Sequence, residues 1–588
     1  MLKGIHRLFQ GIYVFKKNKQ LERYFKKVTR QSKKRMVEIN IDIDIPAEVV
    51  KSHNELAKLL LNFGGLVDDS TNRISAFEVN KHASDNISKI EKYIVKLVNN
   101  YPKYYWKFYL TALPKEHFQG NLETTFLFAI KMVESCISFS NKEIDENELY
   151  KNGNSVTIEI SDSVVKDYCK LVGYSHLLGD MYTLIRISSK GCDFKIQENE
   201  LIPTPIDENG IIESIKLFDD RNVIESKVEN GMNMPSKSGF SLKQRHLSNL
   251  ASLIIVANEN QSGKYEYIPK KATKLKDAKY TKVNFNIVPV SLETIFSEFK
   301  LSKDGLPWEI ELLEVICILQ FATTLILRGW FFLPDIAEKG YLLFPKGFID
   351  AYFQGFIDSV KKMQLEKLGT TFTNDAAEVI RKHSRPLGEN IYPSNVSVLF
   401  DAGKMLGFDI SCSFEFLLNK LEYTKKQGDI ANLRGCFFEE QTQEIIDNSK
   451  LKPARNVRNL VAKTLRFRNK SITDFDAIMV IGKSLIAISC KSILDNLDYD
   501  KGDYKTVRNI TSSLEKYVED WRAKIKIIND NKLGDNYDFS KFDEVIGLVV
   551  TPSVLYCNLT YRNELTIKGL YENMSSREFE AWINITSH

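Results

Sequence analysis

Apolar residues recur at three- and four-residue spacing over Ala47–Phe63, Ser84–Asn99 and Glu123–Phe139, the mark of amphipathic helices. Residues 155–225 then carry short β-like runs, VTIEI, YTLIRI and IESIKLF, between turns, which predicts a mixed α and β stretch. Segment 228–245 is polar and rich in Gly, Ser and Pro, the composition of a linker. From Glu309 to about Lys425 long apolar faces return and read as helical. The longest charge-free apolar run, Val315 to Leu327, is bracketed by Glu314 and Arg328. It falls short of the roughly 20 residues of a membrane span and suits a buried helix. No period of roughly 20–50 residues repeats, which disfavours a solenoid.

The most informative pattern comes late. LRGCFFEEQTQEIID (433–447) places Phe438, Thr442 and Ile445 on one helical face, with Glu439 and Glu440 in the first turns. SITDFDAIMVIGKSLIAISCKS (471–492) reads as two strands around a turn at Gly482-Lys483. A symmetric hairpin about that turn sets Asp476 opposite Ser489 and Asp474 opposite Lys491. Alternation along the strands then sends all four side chains to one face. The intervening Ile478, Met479, Val480, Ile486 and Ile488 are apolar on both faces, as in a sheet interior. Val507, Ile510, Leu514, Tyr517, Trp521, Ile525 and Ile528 form a helical stripe, and EVIGLVVTP (544–552) reads as another buried strand. Helix, hairpin, helix, strand predicts an α/β domain with its acids on central strands.

Composition narrows the class. With 588 residues, 43% hydrophobic and 27% charged, the chain is neither mainly disordered nor a small disulfide scaffold. Its length suggests two to four domains at roughly 150 residues each. The patterns divide it into a basic arm (1–40), an α+β region (41–230), a mainly helical region (246–428) and a C-terminal domain (429–588). Eight scattered cysteines without a Cys-x-x-Cys pair point to free thiols in a reducing cytoplasm rather than to zinc. The opening MLKGIHRLFQ has neither the apolar centre nor the cleavage site of a secretory signal. A cytoplasmic protein with no membrane span is expected.

Charge changes the picture further. Net charge is only +5, yet residues 1–35 hold twelve Lys/Arg against Glu22 alone, so the rest of the chain is net negative. Asn448–Thr473 holds eight Lys/Arg and no acid. Arg455, Arg458, Lys463, Arg466, Arg468 and Lys470 in that run suit contact with a phosphate backbone; a solvated face is the plainer alternative. YPKYYWKFYL (101–110) interleaves aromatics with Lys103 and Lys107. Such clusters can stack bases of single strands, although core packing is their commoner use.

Asp476, Lys491, the helix glutamates and the string ISCKS together resemble the PD-(D/E)xK nucleases, the restriction-endonuclease-like superfamily, over residues 429–588. The resemblance implies a mixed sheet flanked by helices, placed after a large, mainly helical α+β region. It implies Asp476 and Glu439 or Glu440 as ligands of Mg²⁺ (or Mn²⁺), the Cys490 carbonyl as a further ligand, and Lys491 as the lysine of the motif. Its substrate is nucleic acid, DNA favoured over RNA, with a second copy or a partner protein left open. Ser489 stands where the family carries a carboxylate, which weakens a site built for a hard cation. Glu439, Glu440 or Asp474 substitutes for it, or the domain is a non-cleaving relic that binds nucleic acid or serves as a scaffold. A nuclease behind a long sensing region resembles antiviral-defence effectors, by analogy alone. Gly482-Lys483-Ser484 lacks the glycines of a phosphate-binding loop, and Ser489 with Lys491 lacks an oxyanion-hole motif for a hydrolase pair.

Overall fold

The computed structural model describes most of residues 43–112, 123–142, 161–227, 341–358, 375–409 and 428–586, together with Glu38–Ile39 and the strands of 251–291. The basic arm 1–35, the run VTIEI, the linker 228–245 and all of Val315–Leu327 except Ile318 lie outside the described residues.

Helices α1 (Ile45–Leu60), α2 (Ala76–Val98) and α4 (Glu123–Ser138) follow the predicted periodicity, and α3 (Lys103–Ala112), for which no helix was expected, holds the aromatic run. Helices α5 (Asp162–Ser188) and α6 (Ile211–Lys227) replace two expected strands, YTLIRI and IESIKLF. In α5, Tyr182, Leu184, Ile185 and Ser188 are all buried. A helix covered on most sides needs no apolar stripe, so its short β-branched runs imitate a strand. Strands also occupy ground read as helical: β1 (Ala251–Ala257), β2 (Gly263–Tyr267), β3 (Val283–Ser291), β4 (Tyr341–Pro345), β5 (Leu399–Ala402) and β6 (Met405–Asp409). Leu399–Ala402 and Met405–Asp409 are too short for their apolar runs to be told from helix by period alone. Among the described residues no helix is long and apolar enough to cross a membrane.

The chain divides into two compact units, 1–62 with 84–181 and 229–424, and 63–83 with 182–228 and 425–588. In the first, the aromatic run 101–110 is core: Tyr104, Trp106 and Tyr109 are buried, and Trp106 donates to the Val98 and Tyr101 carbonyls at 2.8 and 3.1 Å. Lys107, buried as well, pairs with the buried Asp409. These rings are packed away from solvent, and base stacking is not their use.

The second unit is a three-layer sandwich of helices on both faces of a sheet. Its elements are α7 (Gly428–Asp447), β7 (Leu465–Phe467), β8 (Lys470–Thr473), β9 (Ala477–Ile481), β10 (Ser484–Cys490), α8 (Tyr504–Asp530), β11 (Glu544–Thr551), β12 (Asn573–Ser575) and α9 (Ser576–Thr586). The main sheet runs β9-β10-β11-β12, antiparallel at the first pair and parallel at the other two. The hairpin register is Ala477↔Ile488 through Ile481↔Ser484, the symmetric pairing that the sequence predicts. Gly482 takes a φ of 58° at the first turn position, where an L side chain is strained.

Helix α8 covers one face: Leu514, Val518, Trp521 and Ile525 meet Ile478, Leu485, Ala487, Val545 and Val549. Trp521 also donates to the Ala487 carbonyl at 3.2 Å, and a Cβ on Gly547 would stand 2.7 Å from Ile525. Helices α7 and α9 cover the other face, with Phe438, Ile446, Phe579 and Ile583 against Met479, Ile486, Ile488 and Leu548. Val518, not Tyr517, completes the α8 stripe, because the buried positions step 507, 510, 514, 518, 521. Helix α7 starts at Gly428, so Glu439 and Glu440 lie well inside it rather than in its first turns. Two arginines brace the unit: Arg221 on α6 makes two bonds of 2.8 Å to Glu578 on α9, and Arg562 adds one of 3.0 Å.

Candidate active site

Strands β10, β11 and β12 are parallel, so their carboxyl ends lie along one edge of the sheet. Crevices outside such ends are where open α/β sheets bind ligands. Asp476 enters β9 at this edge, its backbone N–H bonded to the Ile488 carbonyl at 3.0 Å. Its Oδ2 accepts from the Cys490 amide at 2.6 Å and from the Ser489 hydroxyl at 3.3 Å. Lys491 leaves β10 with its amide on the Val550 carbonyl at 2.8 Å, and its Nζ stands 3.9 Å from Asp476 Oδ2. Hairpin pairing and sheet position thus fix both charged groups through backbone bonds.

Glu439 reaches the same edge from α7, half-buried one position beyond the buried Phe438. Burial pushes its carboxyl above the ordinary range, and the negative charge of Asp476 pushes it further, against the pull of Lys491. Asp476 is raised by burial too; Lys491 and the Cys490 amide oppose that rise, and the exposed Asp474 adds to it. Carboxylates held up by desolvation and mutual repulsion mark a place where a cation or a protonated group would relieve the strain. Glu440, next along α7, is exposed.

The Cys490 thiol is buried and bonded to Thr442; burial, with the negative charges of Asp476 and Glu439 adding to it, pushes it up to about 12. One contributor was missed from sequence. Tyr517 on α8 is 38% exposed, and its ring centroid lies 5.5 Å from Lys491 Nζ. Nothing in the α8 stripe distinguishes an outward Tyr517 from an inward one, so only the fold reveals this cation–π contact.

Of the predicted basic residues, Arg455, Lys463, Arg466, Arg468 and Lys470 are exposed. Arg458 is half-buried and bonded to Asp447 at 2.9 Å. Strand β8 runs directly from the exposed Lys470 through Thr473 towards Asp474 and Asp476.

Among the described residues no three His, Cys, Asp or Glu side chains gather closely enough to enclose a metal ion. Mg²⁺, however, is commonly held by one or two carboxylates plus substrate phosphates and water, a donor set that Asp476 and Glu439 match. No protein family, curated protein or solved structure matches this chain.

The strain in these carboxylates gives an expected result. Both are weaker acids in the folded state than in the unfolded chain, so the stability they cost grows as pH rises through the carboxylate range. Glu439→Gln is therefore expected to raise the melting temperature at pH 7. Added Mg²⁺ should raise that of the wild type and leave the variant's nearly unchanged. Calorimetry with and without Mg²⁺ checks both; a wild type indifferent to millimolar Mg²⁺ would remove the metal from the site.

Proposed function

We propose that the second unit is a Mg²⁺-dependent nuclease of the PD-(D/E)xK kind, hydrolysing phosphodiester bonds in nucleic acid, with DNA favoured over RNA. The observation that carries this reading is the convergence of Asp476, Glu439 and Lys491 at the carboxyl edge of the parallel strands, Lys491 Nζ being 3.9 Å from Asp476. Asp476 and Glu439 would hold Mg²⁺, which when bound polarises a phosphate and eases deprotonation of an attacking water. Ser489 and the Cys490 amide orient the Asp476 carboxylate, leaving its second oxygen for a ligand. The Lys491 ammonium, steadied by the Tyr517 ring, faces the negative charge that develops on the phosphate oxygens. The exposed basic run ahead of β9 supplies sequence-independent attraction for the backbone. A cutting unit joined to a second, larger unit suits an effector whose cleavage is released by a signal, as in antiviral defence.

The Ser489 hydroxyl in a carboxylate's place favours a second reading, a nucleic-acid-binding protein on the same frame that does not cut. Incubating the full chain with duplex and single-stranded DNA and RNA, in Mg²⁺, Mn²⁺ or EDTA, separates the two. Metal-dependent cleavage is expected. Salt-sensitive binding with no cleavage under any of these conditions would transfer the conclusion to the second reading.

A further inference from the structure

Strands β7 and β8 form a hairpin closed by two residues, Arg468 and Asn469, with φ of 51° and 61°. Two positive φ values define a type I′ turn, which Asn accommodates and Arg resists. The turn is held from outside. Asp535 accepts from the Arg468 and Asn469 amides at 3.1 and 2.7 Å, so its carboxylate is spent on the backbone of the turn. The Asp535 amide donates to the Arg466 carbonyl at 2.8 Å, and Asn536 accepts from the Arg466 amide at 2.9 Å while donating to the Thr464 carbonyl at 2.8 Å. Five bonds thus staple the loop following α8 to the hairpin, making one rigid tip from two segments.

The tip carries Arg466, Arg468 and Lys470, all exposed, and the stapled loop carries Leu533, 66% exposed, two residues before Asp535 and bridged through its backbone to Asp538. Its nearest aromatic ring, Phe467, is half-buried with the Arg468 guanidinium 5.0 Å from its centroid. Single-strand binders present open aromatic faces for stacking. A basic hairpin and an exposed aliphatic side chain carried on one stapled tip are instead the equipment of proteins that enter a duplex groove and wedge a base step apart. From Lys470 to Asp476 the chain spans at most about 20 Å, or some six base-pair steps, so the candidate active site lies within that reach of a duplex gripped at the tip.

We infer that the hairpin tip and the loop bearing Leu533 form a preset wedge for double-stranded nucleic acid, with Asp535 as the residue that positions it. This rests on the nucleic-acid reading of the same unit and adds to it the substrate form and the mode of engagement.

The test uses the full chain, a duplex and the matching single strand carrying 2-aminopurine, without divalent metal. Duplex is expected to bind more tightly than single strand, with a rise in 2-aminopurine fluorescence as a step unstacks. Leu533→Ser should abolish that rise. Asp535→Ala should weaken duplex binding about tenfold by releasing the preset geometry. Arg468→Gly, which relaxes the turn, should melt no lower than wild type while the slope of log K against log salt falls by about 0.9. Equal binding of the two forms, or a fluorescence rise that survives Leu533→Ser, overturns the wedge and leaves nucleic-acid binding standing. No salt-dependent binding of either form overturns both.

Discussion

Lys491→Ala is expected to reduce metal-dependent cleavage by about 10²-fold or more, while binding and melting temperature change little. The magnitude is that of removing one well-placed electrostatic stabiliser from a site where charge develops. The fold should tolerate the change, because the Lys491 side chain is 32% exposed and its amide, not its ammonium, bonds to β11. Asp476→Ala should be as damaging to cleavage by removing the carboxylate that the Cys490 amide and Ser489 hydroxyl hold in place. Ser489→Glu separates the two readings of the unit. In an active enzyme an added carboxylate beside Asp476 alters metal affinity and rate; in a binding protein it introduces cleavage or leaves none. Single-turnover assays on wild type and the three variants decide the matter. Cleavage that persists at wild-type rate in Lys491→Ala would remove the lysine from the mechanism.

The second large effect concerns stability. Glu578, its side chain 12% exposed, lies between Arg221 and Arg562, and its bonds to Arg221 hold its carboxyl at about 2, against an ordinary value of 4.5, despite the opposing effect of burial. Because the folded value lies below the unfolded one, this stabilisation is complete above pH 4.5 and is lost as pH falls towards 2. The shift corresponds to on the order of 3 kcal/mol. Glu578→Gln is expected to cost that much at pH 7, since it leaves two buried guanidinium groups without their carboxylate. Urea midpoints of the second unit should fall between pH 5 and pH 2.5 in the wild type and much less in the variant. Identical midpoints for both proteins at pH 7 would show that the braces contribute nothing.

Local pairing was readable from sequence, and distant pairing was not. The β9–β10 register follows from a two-residue turn and strict alternation, so Asp476 faces Ser489 as expected. The α8 stripe was legible except at Tyr517, where 3.6 residues per turn leave positions 517 and 518 equivalent until the sheet is in place. Helix α5 was missed because burial on most sides erases amphipathic contrast, and the run in α6 was misread although that helix is mostly half-buried or exposed. The staple at Asp535 links residues separated by 66 and 67 positions, and no local pattern announces it. The glutamate on α7 was identified as a candidate by residue type; its nearness to Asp476 depends on how α7 crosses the sheet.

The brace between Arg221 and Glu578 also sets a clock. The two residues are 357 positions apart, so at about 5–20 residues per second the ribosome takes roughly 20 to 70 s to supply the partner. Segments 63–83 and 182–228 therefore leave the exit tunnel long before the sheet of their unit exists.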